Sequence, residues 1–232
     1  MLKVLFFLAV LTAVFSAVAY QNNPVLFGVA KKDYTFYDHT VYEYYPHLDD
    51  ELFPLASTID RDLGAYRNHC LRVLTFTNYF LPAKIKEDLP DAMDLAATAI
   101  AYLRVGLWTG ENLNYIESSK LKLESTLGNS FTPEKMDIMR EIILQQHKIR
   151  DYTSMSNEAA NAVVNAVRKA SWADATMGLF RFDLPLSLVE TAYDHLEGAG
   201  FHAVFWRKIK LLSLQSPDIM SGVMEAGNIM KW

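Results

Sequence analysis

From Leu52 onward the apolar residues of this chain return at steps of three and four, through Leu55, Ile59, Leu63, Tyr66, Cys70, Val73 and Phe80. That spacing lays them along one stripe of an α-helix, so the chain must bury helical faces against one another. It predicts a long first helix from about Pro54 to Phe80, with Pro54 tolerated near its start and Pro82 closing its end.

The same period continues. Asp88 and Pro90 have the order of a cap and a first-turn proline for a helix running to Gly110. A further one, "ENLNYIESSKLKLESTL", ends on Gly128, which suits a left-handed terminating turn. Thr132 and Pro133 open "EKMDIMREIILQQHKIRDY". Ser156 is positioned to cap "NEAANAVVNAVRKASWADATM", which Gly178 stops. Its many alanines allow close helix approach, so it is expected at the centre of a bundle, with the similar segment Ala92 to Ala101 as its neighbour. Pro185 to Glu197 and Phe201 to Leu214 follow, separated by Gly198 and Gly200, and Ser216 with Pro217 restarts a last short helix bearing Met220 and Met224. Sustained period-two alternation is missing outside the tyrosine-rich segment described below. The fold class is therefore all-α, a single-domain bundle of about seven or eight helices.

The first nineteen residues place Lys3 before an apolar run and end on Ala17 and Ala19, the pattern of a cleaved secretory signal. The run from Val4 to Ala19 is sixteen residues, short of the roughly 20 that cross a bilayer core, so stable membrane anchoring is not expected. The expected organisation is a signal peptide over 1–19, an extended tyrosine-rich arm over 20–48 and a helical domain over 49–232, secreted and extracellular. Without Lys3 the chain has 21 basic against 27 acidic residues, a formal charge of −6, and clustered Lys and Arg of the kind that bind nucleic acid are missing. Cys70 is the only cysteine, so no intramolecular disulfide forms, and its place on the apolar stripe predicts a buried thiol.

Catalytic and metal patterns are sparse. Neither Glu-x-x-His, His-Glu-x-x-His nor G-x-S-x-G occurs. The histidines look isolated on their elements apart from His195 and His202, seven residues apart but separated by Gly198 and Gly200, and they read as surface or capping residues, so neither a metal site nor a catalytic residue is assigned and no cofactor is called for. "GAGFHA" matches a dinucleotide-loop pattern but follows a helical stretch rather than a strand. "FWRKIKLL", residues 205 to 212, reads as a packed helix with solvated basic residues, and the methionines read mainly as core filling.

Two functions remain. The first is a secreted, non-enzymatic binding protein carrying an apolar small molecule within the bundle, a reading suggested by a disulfide-free helical body rich in methionine and aromatics. The second is an extracellular protein-interaction or effector protein whose partner-binding residues are Tyr42, Tyr44 and Tyr45, beside the acids Glu43, Asp49, Asp50 and Glu51. The same tyrosines equally suit a seam, with rings against the bundle and hydroxyls in water.

Overall fold

A computed structural model describes residues 41–196 and 200–215. The expected signal peptide, most of the arm and the expected last helix from Ser216 lie outside the described residues. Within them the chain is all-helical, with no strand.

The expected single helix from Pro54 to Phe80 is corrected: it is a series of short turns followed by one long helix. Helix α1 spans Pro46–Leu52, so helical structure begins inside the segment expected to be extended to residue 48. A 3₁₀ turn at Phe53–Leu55, helix α2 at Ala56–Ile59 and a second 3₁₀ turn at Asp60–Asp62 lead into α3, Leu63–Phe80. The break falls at Asp60, whose φ of 55° and ψ of −129° cannot continue a helix. The apolar stripe survives the break because Leu48, Leu52, Leu55 and Ile59 all still face the core.

The helix expected from Asp88 to Gly110 is likewise divided into α4 (Ala83–Asp88), α5 (Ala92–Tyr102) and α6 (Gly106–Thr109). Between α5 and α6 the chain turns through Leu103, Arg104 and Val105. Helix α7 is Tyr115–Leu127, and its terminal Gly128 keeps a right-handed φ of −55°, not the left-handed turn expected. Helix α8, Pro133–Gln145, starts as predicted, with the Thr132 side chain accepting from the Lys135 amide, but stops well short of Tyr152. Helix α9, Glu158–Ala175, is capped by Asn157 rather than Ser156. It stops at Ala175, three residues before the expected Gly178, and the turn that follows takes Met177 and Gly178 through positive φ values of 50° and 82°. Helices α10 (Leu186–His195) and α11 (Phe201–Gln215) complete the described chain.

The alanine-rich α9 does lie at the centre, and it packs chiefly along α3, with α8 on another side and only a lesser contact to α5. Ala160, Ala166, Ala170 and Ala173 are buried, and their small side chains let the neighbouring backbone come near. Helix α5 lies against α1, α3 and α8, and α6 against α7. That last contact depends on Gly106, because a Cβ there would sit 1.9 Å from the Tyr115 carbonyl oxygen. Its amide donates to the Ser119 hydroxyl at 2.8 Å. Helix α11 lies at the edge, across α6 and α3.

Candidate functional site

The largest fully buried side chains are three arginines, Arg72, Arg104 and Arg168. Burying a guanidinium is costly unless its charge and hydrogen bonds are met inside, so each identifies a place where the fold supplies polar partners.

Arg168 has a structural task. It donates to the carbonyls of Lys148 and Ile149 at 3.1 and 2.6 Å, to Asn165 and to the Asp151 carboxylate. With the Trp172 indole, which also donates to the Lys148 carbonyl, it pins the loop after α8 and so fixes His147.

Arg72 and His69 stand three residues apart on α3, on the face turned to α9, and both donate to Asp174 of that helix. Arg72 Nε reaches one carboxylate oxygen at 2.5 Å and His69 Nδ1 reaches the other at 2.5 Å. The Tyr193 hydroxyl donates at 3.0 Å, and Arg72 also holds the Leu196 carbonyl. Burial alone would raise the Asp174 carboxyl, but the charge of Arg72 and the contact with His69 hold it well below the usual carboxylate range. His202 of α11 approaches the Asp174 backbone carbonyl through Nε2 at 3.1 Å.

The turn between α5 and α6 brings Arg104 to the other side of His69. The Tyr66 hydroxyl accepts from the Arg104 amide at 3.1 Å and donates to the Ala101 carbonyl at 3.0 Å, fixing the turn. Arg104 Nε donates to His69 Nε2 at 3.0 Å and Nη1 to the Tyr115 hydroxyl at 3.4 Å. These contacts set the proton positions. His69 Nε2 must carry a lone pair, so its single proton is on Nδ1, toward Asp174. The Tyr115 hydroxyl also pairs with His147 Nε2. The hydrogen bonds at both ring nitrogens make His69 neutral. Burial pushes His69 down to about 3, with Arg104 and Arg72 reinforcing it and Asp174 opposing; burial and the charge of Arg104 hold His147 well below its ordinary value.

Above this centre lie the aromatic residues of α11. Phe201 stacks on the His69 ring, with centroids 4.0 Å apart and planes 8° apart. Phe205 meets the Tyr115 ring and lies 5.3 Å from the Arg104 guanidinium carbon. Farther along α11, Arg207 holds Asp62 with 2.7 Å contacts to both oxygens, and Lys208 sits over Trp108. The basic residues of "FWRKIKLL" are therefore partnered at two of three positions rather than simply solvated.

The reading of the histidines as isolated surface or capping residues fails for three of them: His69, His147 and His202 converge from three helices or loops on Asp174, Arg104 and Tyr115, whereas His195 is half-exposed and pairs with Glu43. Cys70 is buried as expected, its thiol directed to the Ile100 carbonyl at 3.6 Å and pushed up by burial. The His69–Asp174 pair resembles a general base with its orienting carboxylate. Here the lone pair that would take a proton already accepts from Arg104, and the neighbouring thiol points elsewhere. The geometry is suited to holding charge and positioning a polar group.

The tyrosines predicted to bind a partner take no part in this centre's described hydrogen bonds and separate in exposure. Tyr42 and Tyr45 pack on the bundle edge to face with each other, the Tyr42 amide donating to Thr75 and the Tyr45 hydroxyl to Asp94. Tyr44 is 64% exposed.

No family model matches the chain, and no curated protein and no solved structure is similar to it.

Proposed function

We propose that the protein is a secreted, non-enzymatic binding protein that carries an apolar small ligand within its helical bundle. The observation that carries this reading is the composition of the region beneath α11: a few convergent polar groups, Arg104, Tyr115 and His69, faced by the rings of Phe201 and Phe205. Ligand sites between helices combine apolar walls with a small number of fixed polar groups in this way. Helix α11 supports the reading further, since it covers the centre from the edge of the bundle and is held by a small set of contacts.

Titration with Nile red, an uncharged apolar dye, tests the proposal, together with native mass spectrometry of protein from its natural source. Saturable uptake near one dye per chain, weakened by Phe205→Ala, is the expected result. Linear, non-saturating partitioning with a ligand-free mass spectrum would sink it.

The alternative, an extracellular protein-interaction role for the tyrosine-rich arm, draws on the exposure of Tyr44 next to the half-buried Tyr42 and Tyr45. Replacing Tyr44 alone by Ser separates the two roles, because a seam residue changes stability and a contact residue changes only binding.

A further inference from the structure

Among the described residues Arg104 is the one fully buried arginine with no carboxylate partner. Arg72 is matched by Asp174 and Arg168 by Asp151. Arg104, 1% exposed, has instead a neutral imidazole at Nε, a phenol at Nη1 and an aromatic face at Phe205. Its Nη2 is buried and has no hydrogen-bond partner. The neighbouring histidines cannot balance the charge, since an imidazole is neutral or cationic and never supplies a negative charge. Among the described residues the centre thus holds two guanidinium charges against one carboxylate, and that carboxylate faces Arg72 rather than Arg104. A buried charge without a counter-charge is strongly disfavoured, so a negative charge beside Arg104 is the missing component.

We infer that the position beside Arg104 Nη2, beneath α11, is a binding site for the head group of a monocarboxylic acid with an apolar body. The inference rests on the reading of the protein as a carrier of apolar ligands and names the class of ligand. A single negative charge neutralises the centre, whereas a dianion such as a phosphate monoester would leave one charge unmatched among apolar rings. Of the five guanidinium hydrogens, Nε–H and one on Nη1 are engaged. Those remaining lie on the two terminal nitrogens, whose spacing matches the two oxygens of a carboxylate. Phe205 and Phe201 supply the apolar contacts for the body of such a molecule. Entry is through α11, which begins at Phe201 directly after Gly200, a residue with φ +78° and open space around its Cβ position.

The test is calorimetric titration of the full chain with sodium octanoate, 1-octanol and sodium acetate. Octanoate is expected to bind near one per chain, about tenfold or more tighter than octanol, as a charge-assisted contact implies. Arg104→Gln should remove that preference. Should that variant fail to fold, octanoate labelled with ¹³C at the carboxyl decides in the unaltered protein, because contact with a guanidinium makes the bound carboxyl titrate below its free midpoint in NMR spectra. A bound carboxyl titrating at or above the free midpoint overturns the proposal. Equal binding of octanol and octanoate overturns it too while leaving the apolar-carrier reading intact. Acetate binding as tightly as octanoate keeps the Arg104 anion site but overturns the apolar body, and absence of all binding overturns both readings.

Discussion

Asp174 concentrates more of the chain's buried electrostatics than any other described residue, since Arg72, His69 and Tyr193 all direct protons at its carboxylate. Removing it takes the buried carboxylate from Arg72, His69 and Tyr193 at once, so Asp174→Ala is expected to cost about 3–5 kcal/mol in urea unfolding. Asp151→Ala is a milder case: that carboxylate is 66% exposed and the buried Arg168 retains two carbonyl partners, so the loss should be smaller, about 1–3 kcal/mol. The pH dependence has a definite sign. The Asp174 carboxyl is depressed in the fold, so its contribution is complete above the ordinary Asp range and is lost as pH falls below it. The histidines act in the same direction at higher pH. His69, His147 and His202 are all held below their ordinary values, chiefly by burial. The unfolded chain therefore takes up protons below about pH 6.5 that the native state refuses, for His69 down to about 3, and stability falls through that window. Urea unfolding at pH 7, 6, 5 and 4.5 should show the decline. His202→Gln should flatten it by at most about 1.4 kcal/mol per pH unit, one proton's worth. A stability independent of pH between 7 and 4.5 would contradict the buried neutral histidines.

At the scale of elements, the breaks matter more than the helices. Asp60 holds a backbone conformation that suits glycine, and its side chain is exposed. Asp60→Gly is therefore expected to leave stability unchanged or raise it by about 1 kcal/mol in thermal unfolding, as relieved strain outweighs glycine's extra chain entropy. Gly106→Ala should do the opposite. Its methyl would meet the Tyr115 carbonyl at 1.9 Å, prising α6 from α7 at a cost of about 3 kcal/mol and displacing Tyr115 from Arg104. Circular dichroism melts measure both. These positions also explain what the sequence could convey. Apolar period and cap chemistry located α8, α9 and the all-helical class, because those signals are local. The break at Asp60 carried no proline or glycine, and the stripe stayed in phase across it, so one helix was the natural reading. The polar centre was hidden differently: His69, Arg104, His147 and Asp174 come from distant parts of the chain, and no spacing rule joins them. A usable sign did exist. Arg104 is the only charge between Leu95 and Trp108, and Asp174 the only charge between Ala170 and Phe180. A lone charge in an apolar helical run is drawn to buried polar groups, and here both charges lie against His69, Asp174 at Nδ1 and Arg104 at Nε2.

For the molecule as a whole, the consequence is a division between a rigid pair and a cover. Helices α3 and α9 pack along each other and carry Arg72, His69 and Asp174 on facing surfaces. Helix α11 buries Phe201 and Leu212 and rests Val204, Phe205 and Ile209 against the core, and its polar attachments among the described residues include His202 to the Asp174 carbonyl and Arg207 to Asp62. Asp62 is the anchor on the bundle side. Its burial works against ionisation, but hydrogen bonds from Trp108 and Arg207, with the charges of Arg207 and Lys208, hold its carboxyl below the ordinary range. Asp62→Asn removes the charge while keeping a polar group for Trp108. The expected result is faster hydrogen–deuterium exchange in α11, with the amides of α3 and α9 unchanged, because opening one peripheral helix requires far less free energy than global unfolding. The same substitution should quicken association of any ligand taken up beneath α11. Equal acceleration across α3, α9 and α11 would mean that α11 unfolds only with the whole bundle, and the polar centre would then be a sealed core rather than a covered site.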